Sequence, residues 1–451
     1  MVLTNSFTSW QQISIGDLLE VIIDYRGKTP PKSSYGIPTI TAANVKNGHI
    51  DLSRVSYVSQ EIYNKWITRG LPKPGDVIIT TEAPVGEVAL LPSDQTYLIT
   101  RRVMALRGKK DILDNKFLKY SLLCPSNLNR LLQSTRGTTV PRVLKTNITT
   151  FKIAIPPFSE QKAIAHILGT LDNKIELNQR MNRTLEAIAQ AIFKSWFIDF
   201  DPVRAKMEGR QPEGMSKEVA DLFPDSFVDS ELGMIPKGWS ITKLEDLINI
   251  KHGYAFKGDF FKTDPPGDIL LTPGNFAIGG GFKDDKFKYY FGIAPKEFIL
   301  SKGDLLVTMT DLSKAADTLG YPALLPSERE GRYLHNQRLG KIIIKSNTLV
   351  GKLFLYYLLK TDNYRHEILA SAINSTVKHT SPKQILAFQF PLSNNQLALK
   401  FETFISPLYQ TFCSNNQQNY IIAAIRDTLL PKLISGEIRV KEAEKILEEV
   451  V

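Results

Sequence analysis

The sequence predicts a duplicated mixed α/β fold, two copies of one globular unit separated by two long antiparallel coiled-coil helices. Three observations carry this expectation: an ordered internal repeat, β-rich apolar runs behind Gly-Asp turns in each copy, and a heptad seam that closes each copy.

The repeat is read from matches that keep their order. Trp10 to Leu18 resembles Trp239 to Leu247, and Pro74-Gly75-Asp76-Val77-Ile78-Ile79-Thr80 resembles Lys302-Gly303-Asp304-Leu305-Leu306-Val307-Thr308. Tyr97-Leu98 with Arg102 matches Tyr333-Leu334 with Arg338, and Phe117-Leu118-Lys119-Tyr120 matches Phe354-Leu355-Tyr356-Tyr357. Thr139-Val140 matches Thr376-Val377, and Ile155-Pro156 then Gln161 match Phe390-Pro391 then Gln396. The offset stays near about 230–240 residues, far beyond a solenoid period, so the copies are two domains rather than a stack. The expected division is 1–158 for a first domain, 159–198 for a long helix, 199–235 for a connector, 236–393 for a second domain and 394–451 for a second long helix.

Within each copy, Asp76 to Thr80 and Leu305 to Thr308 are continuous apolar runs and read as buried strands. Phe117 to Leu123 and Leu353 to Leu359 read as helices, with Thr29-Pro30-Pro31, Lys73-Pro74-Gly75 and Pro265-Pro266-Gly267 as punctuation. Ser159-Glu160-Gln161 is positioned to cap the first long helix. Its apolar seam is Ile164, Leu168, Leu171, Ile175, Leu185, Ala189, Ile192 and Trp196, with Asn178 and Asn182 at the two remaining seam positions. The second helix repeats the scheme: Leu397, Phe401, Phe404 and Leu408, then Thr411, Asn415 and Gln418, then Ile422, Ile425 and Leu429. At 1.5 Å per residue each helix is roughly 55–60 Å long. Antiparallel pairing brings the two polar middles together, so Asn178, Asn182, Asn415 and Gln418 are candidates for fixing the register. The stretch from Asp199 to Lys237 is polar, acidic and rich in Pro and Gly, and reads as a connector.

The 451-residue chain has a net charge of +10 with an uneven distribution. Residues 1–158 hold 20 Lys and Arg against 11 Asp and Glu, and residues 236–393 hold 21 against 15. The long-helix and connector segment 159–235 is acidic, with 9 against 13. Two separate basic bodies fit two contacts with a polyanion. No apolar run reaches the roughly 18–20 residues of a membrane helix. Met1 to Ser6 lacks a basic start followed by an apolar stretch, so no signal peptide is expected. Cys124 and Cys413 are the only cysteines, which fits a reducing cytoplasm rather than a disulfide scaffold.

The chain offers no convincing catalytic constellation. Ile155-Pro156-Pro157-Phe158 approaches a base-amino methylation motif, but Ile155 has no side-chain acceptor for the target amine. Asp264-Pro265-Pro266-Gly267 has the acid, yet Gly267 replaces the stacking aromatic, and the run reads as a turn. For nuclease chemistry, Pro224-Asp225 has no suitable partner, and Gly75-Asp76 followed by Glu82 has Pro84 where a lysine is needed. There is no phosphate-binding Gly-x-x-x-x-Gly-Lys-Ser/Thr run, and the six histidines lack metal-ligand spacing. The expectation is a binding protein without a catalytic residue, metal or bound cofactor of its own.

Candidate DNA contacts cluster in the two basic bodies. The first copy offers Arg26 and Lys28, Arg101 and Arg102, and Arg136, Thr138, Thr139 and Arg142. The second offers Lys251 and Tyr254, Asn336, Gln337 and Arg338, and Thr376, Lys378 and His379. Arg pairs bidentately with guanine O6 and N7, Asn and Gln with adenine N6 and N7, while Thr serves phosphates or bases. The matched frame carries different side chains, so two unlike half-sites are expected.

Ser159 to Ala165 through Leu171-Asp172-Asn173-Lys174-Ile175, then Phe193 to Phe197 and Asp199 to Val203, closely resemble the central conserved region of type I restriction-modification specificity subunits. Leu429 to Ile438 resembles the end of their C-terminal conserved helix; Pro391 to Gln396 lacks the Glu that precedes Gln161. The resemblance implies two target recognition domains, each reading half of a bipartite site in double-stranded DNA, and two helices that set the unread spacer. It also implies docking of two methyltransferase subunits, with restriction subunits completing the nuclease. S-adenosylmethionine, ATP and magnesium would belong to those partners. Two other readings remain open: a self-contained methyltransferase or nuclease with degenerate motifs, and a basic scaffold without sequence preference.

Overall fold

The computed structural model describes residues 10–25, 29–53, 55–133, 142–311, 313, 315–326, 331–372, 378–393 and 396–450, side chains of 449 and 450 excepted. The chain divides into two compact units, Met1–Gln179 with Gln417–Val451, and Arg180–Asn416.

The first unit is built on an antiparallel four-stranded sheet in the order Leu19–Asp24, Val103–Gly108, Val77–Thr81, Val85–Leu90. The strand Val77–Thr81 is buried throughout because both faces of this sheet are covered. Val77 and Ile79 pack with Phe117, Leu118, Leu168 and Leu433 on the helical face. Ile78 points the other way, toward Ile40, Val58 and Leu98 of a three-stranded sheet. That sheet has the order Ser56–Val58, Ile37–Ile40, Leu98–Ile99, with its second pair parallel. A ribbon of Gln11–Ser14 against Lys152–Ile155 completes the strands that lead to the long helix.

The second unit repeats this plan. Its four-stranded sheet runs Ile248–His252, Leu339–Ile344, Leu305–Thr308, Pro322–Leu324. The companion sheet has five strands, Phe261–Lys262, Lys288–Tyr290, Asp268–Leu271, Tyr333–His335, Ile299–Leu300. Its three central strands reproduce the pairing of the first unit, including the parallel pair Ile269↔Tyr333. Trp239–Lys243 pairs with Gln389–Ser393 as the ribbon.

The duplicated local chemistry explains the duplicated sequence signals. Gly75 and Gly303 adopt φ of +80° and +74°, the left-handed region that a turn requires here. The following acids close the turns: Asp76 accepts from the Lys73 amide (2.8 Å) and Asp304 from the Ser301 amide (2.9 Å). Each acid also pairs across the sheet, Asp76 with Arg107 and Asp304 with Lys341, both at 2.7 Å.

The two long helices span Phe158–Phe197 and Leu397–Ser435. The first begins directly after Pro156-Pro157. Pro157 O accepts the Glu160 and Gln161 amides (2.9 and 3.0 Å), and Ser159 lies inside the first turn rather than ahead of it. Gln161 instead turns inward, donating to Ile112 O and Pro156 O and accepting from the Asp114 amide. The first seam lies inward as its heptads predict, from Ile164 to Trp196. The second departs from expectation, for Phe404, Thr411 and Gln418 are exposed. Ile405, Phe412 and Asn419, one residue further on, turn inward in their place. A helix of 3.6 residues per turn drifts against a strict heptad, and the step Phe401 to Ile405 takes up that drift.

Pairing is antiparallel within each unit. In the first, Asp172 meets Arg426 (2.9 Å) and Asn178 Nδ2 donates to Asn419 Oδ1 (3.0 Å) and Gln418 Oε1 (3.3 Å), while Glu160 pairs with Arg439 (2.8 Å) just beyond the end of the second helix. In the second, Asn415 Nδ2 donates to Asn182 Oδ1 (2.9 Å), and Asn182 Nδ2 donates to Asn416 Oδ1 (2.8 Å) and Phe412 O (3.3 Å). Nearer the end of the first helix, Phe193 and Trp196 pack on Phe401.

Asp172 is the polar hub of the first unit. Its carboxylate takes Lys119 Nζ (2.9 Å), Tyr120 OH (2.7 Å) and Arg426 Nη1 (2.9 Å). Burial alone would raise this carboxyl, but the Lys119 charge and the bonds from Tyr120, Arg426 and Lys119 outweigh it and hold it below its ordinary value.

The segment from Asp199 to Lys237 carries more structure than its polar composition suggests. It forms the helices Asp201–Met207 and Lys217–Ala220 and a hairpin of Phe227–Ser230 with Gly233–Pro236. Sparse apolar residues anchor it: Phe200, Val203, Phe223 and Ile235 are buried in the core of the second unit.

Candidate nucleic-acid interface

One end of each four-stranded sheet gathers clusters that are far apart in sequence, and the same three backbone links do so in both units. In the first, the Thr81 amide donates to Arg102 O (2.9 Å), the Val143 amide to Thr81 O (3.0 Å), and Glu82 bridges to Arg142. In the second, the Met309 amide donates to Arg338 O (2.9 Å), the Thr380 amide to Met309 O (3.0 Å), and Thr310–Asp311 pairs with Lys378–His379. Register therefore equates Arg102 with Arg338, Glu82 with Thr310 and Arg142 with His379.

The side chains on this shared frame differ. In the first unit Arg101, Arg102 and Arg142 are exposed. Arg102 Nε forms an ion pair with Glu82 Oε2 at 3.1 Å. In the second unit Gln337, Arg338 and His379 are exposed, and the Thr310 hydroxyl bonds to His379 Nδ1 at 3.1 Å. Asp311 anchors the adjoining loop by accepting the Ser313 and Thr318 amides (2.6 and 2.5 Å). Burial would raise that carboxyl, and these bonds outweigh it and lower it.

The Lys251–Tyr254 cluster joins the same end of the second unit. The Tyr254 amide donates to His335 O (2.8 Å), and the Gln337 amide to Tyr254 O (3.0 Å). Gly253 makes this approach sterically feasible, since a Cβ there would lie 2.0 Å from Asn336 O. Tyr254 is 40% exposed, packed on Phe256 and Phe298, so its ring is available at the surface. Lys251 is held by Glu297 O (2.8 Å) and lies over the Phe298 ring. Asn336 is buried, and its Oδ1 accepts the Arg338 amide (3.0 Å), shaping the turn. Beneath the turn, His335 is buried with Nε2 2.9 Å from Leu339 O. Burial lowers its imidazole to about 4.

Thus Arg101, Arg102 and Arg142 converge in the first unit, and Lys251, Tyr254, Asn336, Gln337, Arg338, Lys378 and His379 in the second. Arg26, Lys28, Arg136, Thr138, Thr139 and Thr376 lie outside the described residues. Glu82, Thr310, Asp311 and His335 escape the sequence reading. The repeat itself could have found the first two, because Glu82 follows Asp76 by the same six residues that separate Thr310 from Asp304.

The near-catalytic runs take ordinary structural positions. Ile155 ends a strand and Phe158 starts the long helix. No group of His, Cys, Asp and Glu able to hold a metal ion occurs among the described residues.

The type I restriction modification DNA specificity domain model matches twice, over residues 8–187 and 236–419, which is most of the chain. This chain belongs to the type I restriction-modification specificity family. Its relatives include the type I restriction enzyme HindI specificity subunit of Haemophilus influenzae, 25% identical across 96% of this chain and 100% of that protein. The MjaIX specificity subunit of Methanocaldococcus jannaschii is 26% identical across 96% of this chain and 94% of that protein. Among solved structures, the type I restriction-modification S subunit from M. genitalium shares the fold, with a TM-score of 0.55 at 16% identity, covering 96% of this chain and 98% of that one. As a specificity subunit with two matched recognition domains, the chain fits the duplicated frame that its sequence predicts. The self-contained enzyme reading has no support.

Proposed function

We propose that each unit reads one half of a bipartite site in double-stranded DNA through the sheet end described above. The observation that carries this is one backbone frame used twice with unlike side chains: Glu82, Arg102 and Arg142 in one unit, and Thr310, Arg338 and His379 in the other. A frame fixed by backbone bonds lets side chains change without loss of fold, which suits selection of different bases by related modules. The polar helix middles, with Asn178, Asn182, Asn415 and Gln418, serve to fix the pairing register, and the paired helices set the unread gap.

In this reading the chain performs no catalysis. It docks two methyltransferase subunits, and restriction subunits join the assembly in the cytoplasm. S-adenosylmethionine, ATP and magnesium serve those partners. No helix among the described residues is long and apolar enough to cross a membrane.

Methylome sequencing of the host with and without this gene tests the reading. Loss of a single bipartite methylated motif on deletion is the expected result. An unchanged methylome, or loss of a continuous motif, would overturn it. Inserting one heptad into both helices should lengthen the gap in the motif, and an unchanged gap would refute the spacer role.

A further inference from the structure

We propose that Glu82 is a positioning residue that aims Arg102 at a guanine edge in the half-site read by the first unit. The proposal rests on the DNA-reading function above and adds a specific division of labour at that site.

The backbone places both residues before any side chain acts. Thr81 is locked on one side to Arg102 O (2.9 Å) and on the other to the Val143 amide (3.0 Å), and Glu82 bridges Arg142. From that position Glu82 Oε2 sits 3.1 Å from Arg102 Nε. The contact is an ion pair rather than an aligned hydrogen bond, and it lies on the Nε side of the guanidinium, which leaves Nη1 and Nη2 for an outside acceptor such as guanine O6 and N7. The side chain of Arg102 is 44% exposed while that of Glu82 is 26% exposed, so the arginine is the outer member of the pair.

A carboxylate beside a polyphosphate is unfavourable unless it is neutralised or employed. Pairing with Arg102 offsets the charge of Glu82 and favours one placement of a long, rotamer-rich side chain before binding. An exposed ion pair of this kind stabilises the fold little, so its chief effect is orientation. The second unit solves the same position differently. Thr310 replaces the carboxylate and bonds to His379, so Arg338 on the equivalent strand end has a hydroxyl at the matched place. The two half-sites are therefore set by unlike devices on one frame.

The test uses the complete methyltransferase complex containing this chain, acting on unmethylated genomic DNA, with the methylated positions sequenced. Four variants are compared: Glu82→Gln, Glu82→Ala, Glu82→Asp and Arg102→Lys. Glu82→Gln and Glu82→Ala should lower discrimination at one guanine-containing position by about tenfold, equivalent to about 1.4 kcal/mol. Arg102→Lys should relax the same position, Glu82→Asp should largely retain it, and the other half-site should not change. The near-isosteric Glu82→Gln keeps the test valid if Glu82→Ala fails to assemble. Full discrimination in Glu82→Gln, or a changed base preference that Arg102→Lys does not share, would overturn the proposal while leaving the bipartite reading intact. A wild-type complex that methylates no bipartite motif would overturn both.

Discussion

Asn415 donates its side-chain amide to the side-chain carbonyl of Asn182 at 2.9 Å, a buried bond between residues 233 positions apart. It joins the two long helices where their seams turn polar. Replacing Asn182 with Leu strands the buried Asn415 amide and should cost about 1–3 kcal/mol. The double variant Asn182→Leu/Asn415→Leu should recover part of that loss, because neither amide of the pair is then stranded, while Asn416 Oδ1 and Phe412 O still lose the Asn182 donor. Urea unfolding of wild type, both single variants and the double variant gives the coupling directly. Additive losses would refute the pairing.

Asp172 gathers three donors in the first unit, two of them from Lys119 and Tyr120 on one helix and one from Arg426 on the second long helix. Asp172→Asn leaves the Lys119 ammonium buried without its counter-charge, and should cost about 3–5 kcal/mol at neutral pH. The folded carboxyl lies below its ordinary value. Its stabilisation is therefore present above the unfolded pKa, and is lost as pH falls through the lowered folded value. Unfolding titrations toward acid should bring wild type and variant together only as the pH passes below the lowered folded value of this carboxyl, where both lack the charge.

His335 carries the opposite group but the same direction of effect. Burial holds its imidazole at about 4, against 6.5 for an unperturbed histidine. Between those values the unfolded chain binds a proton that the folded unit refuses, so stability falls as pH drops from 6.5 toward 4 and is fully present above 6.5. Amide exchange at Tyr254 and Leu339, whose backbone groups contact His335, should quicken over that range after correction for intrinsic rates. His335→Gln should flatten the dependence, and an identical slope in the variant would refute it.

Gly253 allows the turn at Asn336 to approach Tyr254. A Cβ at this position meets Asn336 O at 2.0 Å and His335 O at 2.7 Å, both backbone atoms that cannot swing aside. Gly253→Ala should displace the turn carrying Gln337 and Arg338 and weaken discrimination in one half-site, roughly tenfold or more for a lost bidentate contact. Methylome sequencing should show the other half-site unchanged. Relaxation in both halves would contradict the assignment of this turn to one half.

The sequence by itself determined the duplication, both long helices and the strand runs behind Gly75-Asp76 and Gly303-Asp304. These features are legible because they are local or periodic: a left-handed turn needs glycine, a twice-covered strand needs a continuous apolar run, and a helix seam repeats every three and four residues. The basic clusters were also visible as residue types. Only the tertiary structure decided which of them share a surface. Arg102 and Arg142 are brought together by Thr81, which bonds Arg102 O and the Val143 amide, and by the Glu82–Arg142 bridge, and Lys251 to Tyr254 meets Asn336 to Arg338 through paired backbone, contacts whose sequence spacing carries no periodic trace. The inward shift to Ile405, Phe412 and Asn419 was likewise hidden, because a helix face one residue wide in the heptad pattern is wider in three dimensions. Glu82 shows the remaining gap most plainly. In sequence it is an acid without its lysine; in the fold it is the partner of Arg102, because strand pairing places the two residues side by side.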